Sequence, residues 1–260
     1  MAERLNDLTG KEWLQNSFSI WRNINKNSEE KKLNHPASYP AELAEKIIKI
    51  WTKEGALVLD PFLGSGSTLI GALQSGRRCI GIDLSKDYCK MSQDRLKEFS
   101  FDKKLYKIIN GDSLKEVPKI DDEIDLTVTS PPYWDVLNQK RTADRKDTKN
   151  YSNSNYDLGN MNEYEDFIIA LKNIFKEVFE KTKPGGYCVI NVMDIRKKEK
   201  FYALHIDVVK ALEEVGWYFD DLIIWDRQNE YNNMKPLGYP YKYRINKVHE
   251  YLLIFNKVVK

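Results

Sequence analysis

The feature that most constrains this chain is a series of short apolar runs of strand length, alternating with stretches of helical periodicity. Residues 56–60, 78–83, 106–109 and 124–129 read as four buried strands in the first half, and 187–192, 219–225 and 248–255 add three. Between them, apolar side chains recur at helical spacing over residues 41–52, 67–74, 86–99, 163–181 and 204–215. Apolar strands linked by crossover helices demand a mostly parallel sheet covered on both faces. The expected fold is a doubly wound, mostly parallel α/β sheet of seven strands, and 260 residues suffice for one such core. Pro184-Gly185-Gly186 reads as a turn into the fifth strand.

Two polar stretches break the rhythm. Residues 134–160 are rich in Asn, Ser, Lys and Tyr, and residues 227–246 hold Pro236, Gly238 and Pro240. Long irregular insertions in a compact domain usually carry function. The expected organisation is thus one domain over 1–260, with segment 1–34 and insertions 134–160 and 227–246 as candidate recognition elements. A net charge of only +2 neither demands nor excludes a polyanionic partner, because local patches decide that. Cys79, Cys89 and Cys188 form no C-x-x-C pair and read as buried thiols, which fits a reducing cytoplasm. No apolar leader opens the chain and no apolar run approaches a membrane span, so a cytoplasmic location is expected. His35, His205 and His249 lack metal-site spacing, so no metal is expected; His205 reads as structural.

Ligands of open α/β sheets bind at the carboxyl ends of strands. The first strand runs into Asp60-Pro61-Phe62-Leu63-Gly64-Ser65-Gly66-Ser67-Thr68. This loop is glycine-rich like a dinucleotide turn but opens with a carboxylate, which would repel a pyrophosphate and suits a cationic α-amino group. The second strand ends at Asp83, about 20 residues on, where a carboxylate can accept ribose hydroxyls. The third ends in Asn110-Gly111-Asp112, placing an acid within reach of an adenine amino group. Each acid alone is more often a helix cap than a ligand, but three at successive strand ends point to an amino-acid-bearing nucleoside. The fourth strand ends in Thr129-Ser130-Pro131-Pro132-Tyr133-Trp134. Paired prolines force an extended path that fixes the Ser130 hydroxyl and the Pro131 carbonyl. Two such acceptors suit an amine whose lone pair is delocalised into a heteroaromatic ring. Tyr133, and Trp134 beside it, are placed to stack on a base swung out of its helix.

These motifs resemble the amino-group DNA methyltransferases, which modify adenine N6 or cytosine N4. Asp60–Thr68 is similar to that family's D-P-F-x-G-S-G-T cofactor loop, and Ser130–Tyr133 to the S-P-P-Y of its cytosine-N4 members. His35 and Pro36 open an H-P-x-x-x-P element like the one that closes over the cofactor's methionine part, and residues 248–255 resemble the H-E-Y strand near the target base. The resemblance implies a class I, Rossmann-like methyltransferase with S-adenosylmethionine as cofactor and DNA as substrate. It implies cofactor contacts from His35, Pro36, Asp60, Pro61, Phe62, Gly64, Ser65, Gly66, Thr68, Asp83 and Asp112. It also implies a catalytic Ser130, Pro131, Pro132 and Tyr133, with His249 near the target base. The implied reaction is in-line attack by the base amine on the sulfonium methyl, without a covalent enzyme intermediate. A cognate restriction endonuclease is an implied partner, with a monomer or homodimer as the assembly.

The order here, cofactor loop before catalytic motif, is a permutation that the family tolerates. No separate recognition domain of ordinary size is visible, so sequence reading falls to the insertions. Lys140 and Arg141 in the first, and Lys242 and Arg244 interleaved with Tyr239, Tyr241 and Tyr243 in the second, are the expected phosphate and base contacts. Trp13, Phe18 and Trp21 are expected in the core. An adenine-N6 enzyme, an RNA base-amine methyltransferase and a non-catalytic binding module are the alternatives. The intact motifs speak against the last.

Overall fold

The computed structural model describes residues 4–33, 38–135, 157–230 and 236–258. His35, Pro36, Lys140 and Arg141 lie outside the described residues. The seven expected strands form as β2 (Leu57–Asp60), β3 (Arg78–Asp83), β4 (Tyr106–Asn110), β5 (Ile124–Thr129), β6 (Thr182–Val192), β9 (Tyr218–Asp226) and β10 (His249–Asn256). A two-residue edge strand, β1 (Ile20–Trp21), makes the sheet eight-stranded rather than seven-stranded among the described residues. Its order is β1-β9-β10-β6-β5-β2-β3-β4, parallel except for β10, which runs antiparallel to both neighbours. A separate hairpin pairs β7 (Ile195–Lys197) with β8 (Lys200–Tyr202). No apolar alternation in those residues announces it.

The period-two register sorts the apolar residues onto two faces. Leu57 and Leu59, Cys188, Ile190 and Val192, and Leu253 and Phe255 join one buried cluster; Val58, Val189, Leu252 and Ile254 join the other. On the first face lie α7 (Tyr164–Lys181) and α8 (Leu204–Glu213), with the short α6 (Ser113–Glu116) beside α7. The second is covered by α3 (Ala41–Trp51), α4 (Ser67–Gln74) and α5 (Lys86–Lys97). Leu43, Ala44, Ile47 and Ile48 of α3 are sealed from solvent at helical spacing. Each large apolar side chain buried in this way contributes roughly 1.5–3 kcal/mol. All three cysteines are buried.

Two expectations need correction. The Pro-Gly-Gly segment belongs to β6: Ile124 pairs with Thr182 and Leu126 with Tyr187, so the extra residues form a bulge inside the strand. Gly185 N–H donates to Lys257 O (2.7 Å) and Lys257 N–H to Gly186 O (2.9 Å), which keeps the bulge hydrogen-bonded. Of the N-terminal aromatics only Trp21 is buried, because it alone enters a strand; Trp13 is 50% and Phe18 63% exposed. The intervening α1 (Gly10–Asn16) has no buried residue and is held by its Thr9–Glu12 capping box. Helix α2 (Ser28–Lys32) follows, capped by Asn27. Among the described residues no helix is long and apolar enough to cross a membrane.

Strand order decides where a ligand can sit. The chain lays β3 and β4 on one side of β2, then crosses to start β5 on the other. The carboxyl ends of β2 and β5 therefore flank the switch in winding direction, where such sheets open a crevice. In parallel register, Leu59 of β2 faces Thr127 of β5. The glycine loop and the Pro-Pro turn consequently leave the sheet side by side.

Candidate active site

A cleft opens at this switch point. Its wall combines Pro61, Phe62, Leu63, Gly64 and Ser65 from the first loop with Asp83 and Asp112 from the next two strand ends and Tyr88 from the first turn of α5. Ser130, Pro131, Pro132 and Tyr133 close the opposite side. Asp157, Leu158 and Tyr39 also reach the wall, and no sequence pattern singled them out.

The glycine loop is shaped from below. Gly64 and Gly66 take left-handed conformations, φ 51° and 81°. A side chain on Gly66 would also meet Ser92, whose Oγ would lie 2.8 Å from its Cβ. Ser92 Oγ donates to Gly64 O (2.9 Å), and Arg95 Nη1 donates to Ser65 O (2.5 Å). Arg95 is itself held by Glu30 of α2, so the N-terminal segment and α5 together brace the loop.

Asp60 is enclosed by the protein. Its side chain is 1% exposed, lies outside the cleft wall and is saturated by donors from the protein. Oδ1 accepts from Thr129 Oγ1 (2.6 Å) and Phe62 N–H (3.0 Å); Oδ2 accepts from Thr68 Oγ1 (2.5 Å) and Tyr39 OH (3.2 Å). Burial pushes its pKa up, while these hydrogen bonds pull it down. Through Thr129, Asp60 ties the end of β2 to the end of β5. Gly66 and Thr68 likewise shape the loop from behind the wall.

Asp83 does face the cleft. Oδ2 accepts from Gly64 N–H (2.7 Å) and Oδ1 from Ser85 N–H (2.8 Å), leaving lone pairs for two further donors. Burial raises its pKa to about 6, with Asp60 and Asp157 adding to the rise. Asp112 caps α6 through Leu114 N–H (3.1 Å) and still contributes to the wall.

The Pro-Pro turn is locked by a polar network under its aromatic residue. Tyr133 OH donates to Glu250 Oε2 (2.9 Å), a carboxylate only 4% exposed. Its single proton thus committed, the phenol oxygen can only accept from Ser130 Oγ (3.1 Å) and Asn191 Nδ2 (3.3 Å). Asn191 and Arg227 both donate to Glu250 as well. Burial pushes the Tyr133 pKa up, and the Glu250 charge adds to it, so the phenol stays protonated. The consequence for Ser130 is directional. With the phenol as acceptor, the Ser130 hydroxyl donates to Tyr133, which leaves its lone pairs free for a donor, and Ser130 lines the cleft.

Trp134 is not in the wall. A left-handed backbone (φ 50°) swings its ring under the turn, 3% exposed, against Tyr164 (5.3 Å) and Tyr202 (5.2 Å). Its Nε1 donates to Met161 O (2.8 Å), and Lys197 Nζ lies 3.8 Å over the ring. The expected stacking role of Trp134 is thereby corrected to a buried support. Lys242 and Arg244 lie away from the cleft, where both pair with Glu199 (2.7 and 2.8 Å). His249 packs edge-on against Tyr251 outside the wall, and burial lowers its pKa. His205, at the start of α8, is structural as expected: its Nδ1 sits 2.6 Å from Asp194 Oδ1 and its ring stacks on Tyr251. Sequence reasoning missed Asn191 as a site residue, although a polar residue in an otherwise apolar strand was a usable signal.

An open α/β sheet with a cleft at its switch point, carboxylates at successive strand ends and a Pro-Pro turn across from a glycine loop has the architecture of the class I, Rossmann-like fold. The donor group that fits is S-adenosylmethionine: Asp83 offers acceptors for ribose hydroxyls, Asp112 one for an amine, and Phe62 and Tyr88 apolar surface for a purine. The chain belongs to the DNA methylase family N6_N4_Mtase, whose model it matches over residues 3–94 and 124–260. It is 43% identical over 86 residues to the orphan methyltransferase M.BamHII of Bacillus amyloliquefaciens, covering 32% of each chain. It is 44% identical over 63 residues to the DNA adenine methyltransferase YhdJ of Escherichia coli K12, covering 24% of this chain and 21% of that one. These matches thus span about a third or less of the relatives' length. The crystal structure of TrmN from Thermus thermophilus shares the fold, with a TM-score of 0.53, 14% identity, and coverage of 84% of this chain and 48% of that one.

The raised Asp83 pKa gives a testable pH dependence. Hydrogen bonds from ribose hydroxyls favour the ionised carboxylate, so cofactor binding should release a proton near pH 6. Affinity should therefore weaken about tenfold per pH unit once pH falls below that value. The unliganded fold responds with the opposite sign. A carboxyl whose folded pKa is raised from 3.8 to about 6 disfavours folding above that window and relaxes as pH falls through it. Calorimetry in two buffers of different ionisation enthalpy reads both effects. An affinity flat from pH 7 to 5 would remove Asp83 from the cofactor site.

Proposed function

We propose that the chain methylates the exocyclic N4 amine of cytosine in DNA, with S-adenosylmethionine as donor. What supports this reading is the place of Ser130: it lines the cleft with Pro131 and Tyr133, and its Oγ lies 3.1 Å from the Tyr133 hydroxyl, whose own proton goes to Glu250. Bound cofactor supplies an electrophilic methyl group. The protein's part is to make the amine a better nucleophile and to aim it. Ser130 Oγ and Pro131 O accept the two amine hydrogens, drawing the nitrogen lone pair out of conjugation with the ring. Tyr133, fixed through its hydroxyl, offers its ring face to a base extruded from the duplex. Asp60, through Thr129, sets the separation between this turn and the glycine loop, and positioning of this kind supplies much of the rate in direct transfer.

Ser at the head of the Pro-Pro turn favours cytosine. Adenine N6 is the second reading, because the amine chemistry is shared and one relative is itself named as an adenine enzyme. Digestion of methylated DNA to nucleosides, followed by mass spectrometry, separates the two. N4-methylcytosine is the expected product. N6-methyladenine would overturn the base assignment, and transfer to RNA alone would overturn DNA as the substrate.

A further inference from the structure

We propose that the hairpin β7–β8, with the segment around residues 239–244 pinned to it, grips the DNA backbone flanking the target base. This rests on the reading of the chain as a DNA methyltransferase and assigns the duplex to one surface. The hairpin is joined to the catalytic turn. Lys197 Nζ pairs with Asp135 Oδ2 (2.5 Å) and Tyr202 packs on Trp134, so both residues that follow Tyr133 are anchored to it. These links fix the element next to the turn that follows Tyr133, outside the cleft itself, on the side where DNA flanking an extruded base can run.

Its chemistry matches them. Arg196, Lys198 and Lys200 project from the hairpin into solvent, and Lys247 joins Arg196 over the Phe201 ring (5.0 and 5.3 Å). Among the described residues these four cations make no ion pair. Beside them, Tyr239, Tyr241 and Tyr243 are 77%, 91% and 97% exposed. Exposed tyrosines next to a hairpin of unpaired cations offer stacking and wedging surface near phosphate ligands, a combination that fits nucleic acid better than an acidic protein. Glu199 adds a further match. Its two carboxylate oxygens sit between Lys242 (2.7 Å) and Arg244 (2.8 Å), and Arg244 also donates to Lys198 O (2.8 Å). The carboxylate occupies the position between two cations that a backbone phosphate would take.

Binding of a duplex oligonucleotide across a salt series tests this. Lys198→Ala combined with Lys200→Ala should make the dependence of log affinity on log salt shallower by roughly two, about one for each phosphate no longer neutralised. Glu199→Gln should change binding in the opposite direction, tightening it and steepening the slope as Lys242 and Arg244 are released. Melting temperature and cofactor affinity, measured in parallel, should match the parent, since these side chains lie at the surface away from the cleft. Methyl incorporation into the same duplex reports separately on the proposed activity, and the salt slope decides the inference whatever that result. Parental slopes in both variants would overturn it. So would tighter binding to RNA or to an acidic polypeptide than to duplex DNA at equal salt.

Discussion

Ser130→Ala should reduce methyl transfer by about 10²–10³ while changing cofactor affinity by no more than about twofold. The magnitude is that of removing one preorganised polar group from a reacting centre. The selectivity follows from where the hydroxyl sits. Tyr133 loses one hydrogen-bond donor but keeps Glu250 and Asn191, so its ring stays in place. Asp83, Gly64 and Phe62 line the cleft from the glycine-loop side, and Gly64 is bonded to Asp83 while Ser130 is bonded to Tyr133. Single-turnover incorporation of a labelled methyl group, set against calorimetric cofactor binding, gives both quantities. Unchanged turnover, or a parallel loss of cofactor, would remove Ser130 from the chemistry.

Glu250→Ala should act on the fold and the reaction together. Glu250 is buried and accepts from Tyr133, Asn191 and Arg227, so its removal takes the acceptor from two part-buried polar groups and one of two carboxylates from Arg227, which keeps Glu230 (2.6 Å). Taking the acceptor from buried donors costs about 1–3 kcal/mol, or roughly 5 °C in melting temperature for a domain of this size. Glu250→Gln separates positioning from stability. It fills the same space but must turn either its amide nitrogen or its single oxygen toward donors on both sides. We expect it to melt within a few degrees of the parent yet to lose at least tenfold in turnover, because Tyr133 no longer holds the Ser130 proton inward. Melting curves and kcat measured on both variants check this. A glutamine variant with parental kcat would reduce Glu250 to a structural role.

Period and punctuation made most of the sheet legible. Each of the seven expected strands forms, and the helix at 67–74 keeps its expected bounds, because apolar alternation and helical spacing report burial directly. The placement of the two motifs at neighbouring strand ends was legible too, since winding order follows from alternation of strand and helix. Roles that depend on distant partners were not. The donors to Asp60 are not read from its strand end, since Tyr39, Thr68 and Thr129 converge on it from other parts of the chain. Trp134 follows Tyr133 in sequence, yet a reversed backbone angle sends the two rings to different sides of the turn. The hairpin β7–β8 has almost no apolar pattern and is fastened by Asp135, Trp134 and Arg244, which come from elsewhere in the chain. Strand β1 is only two residues long and is defined by its parallel register with Ile224 and Trp225.

A crystal structure with S-adenosylhomocysteine tests most directly whether donor and acceptor meet between the glycine loop and the Pro-Pro turn. The nucleoside should lie in the cleft with its ribose hydroxyls on Asp83 and its sulfur open toward Ser130 Oγ and the Pro131 carbonyl. A nucleoside bound elsewhere, or a sulfur turned away from Ser130, would contradict the account.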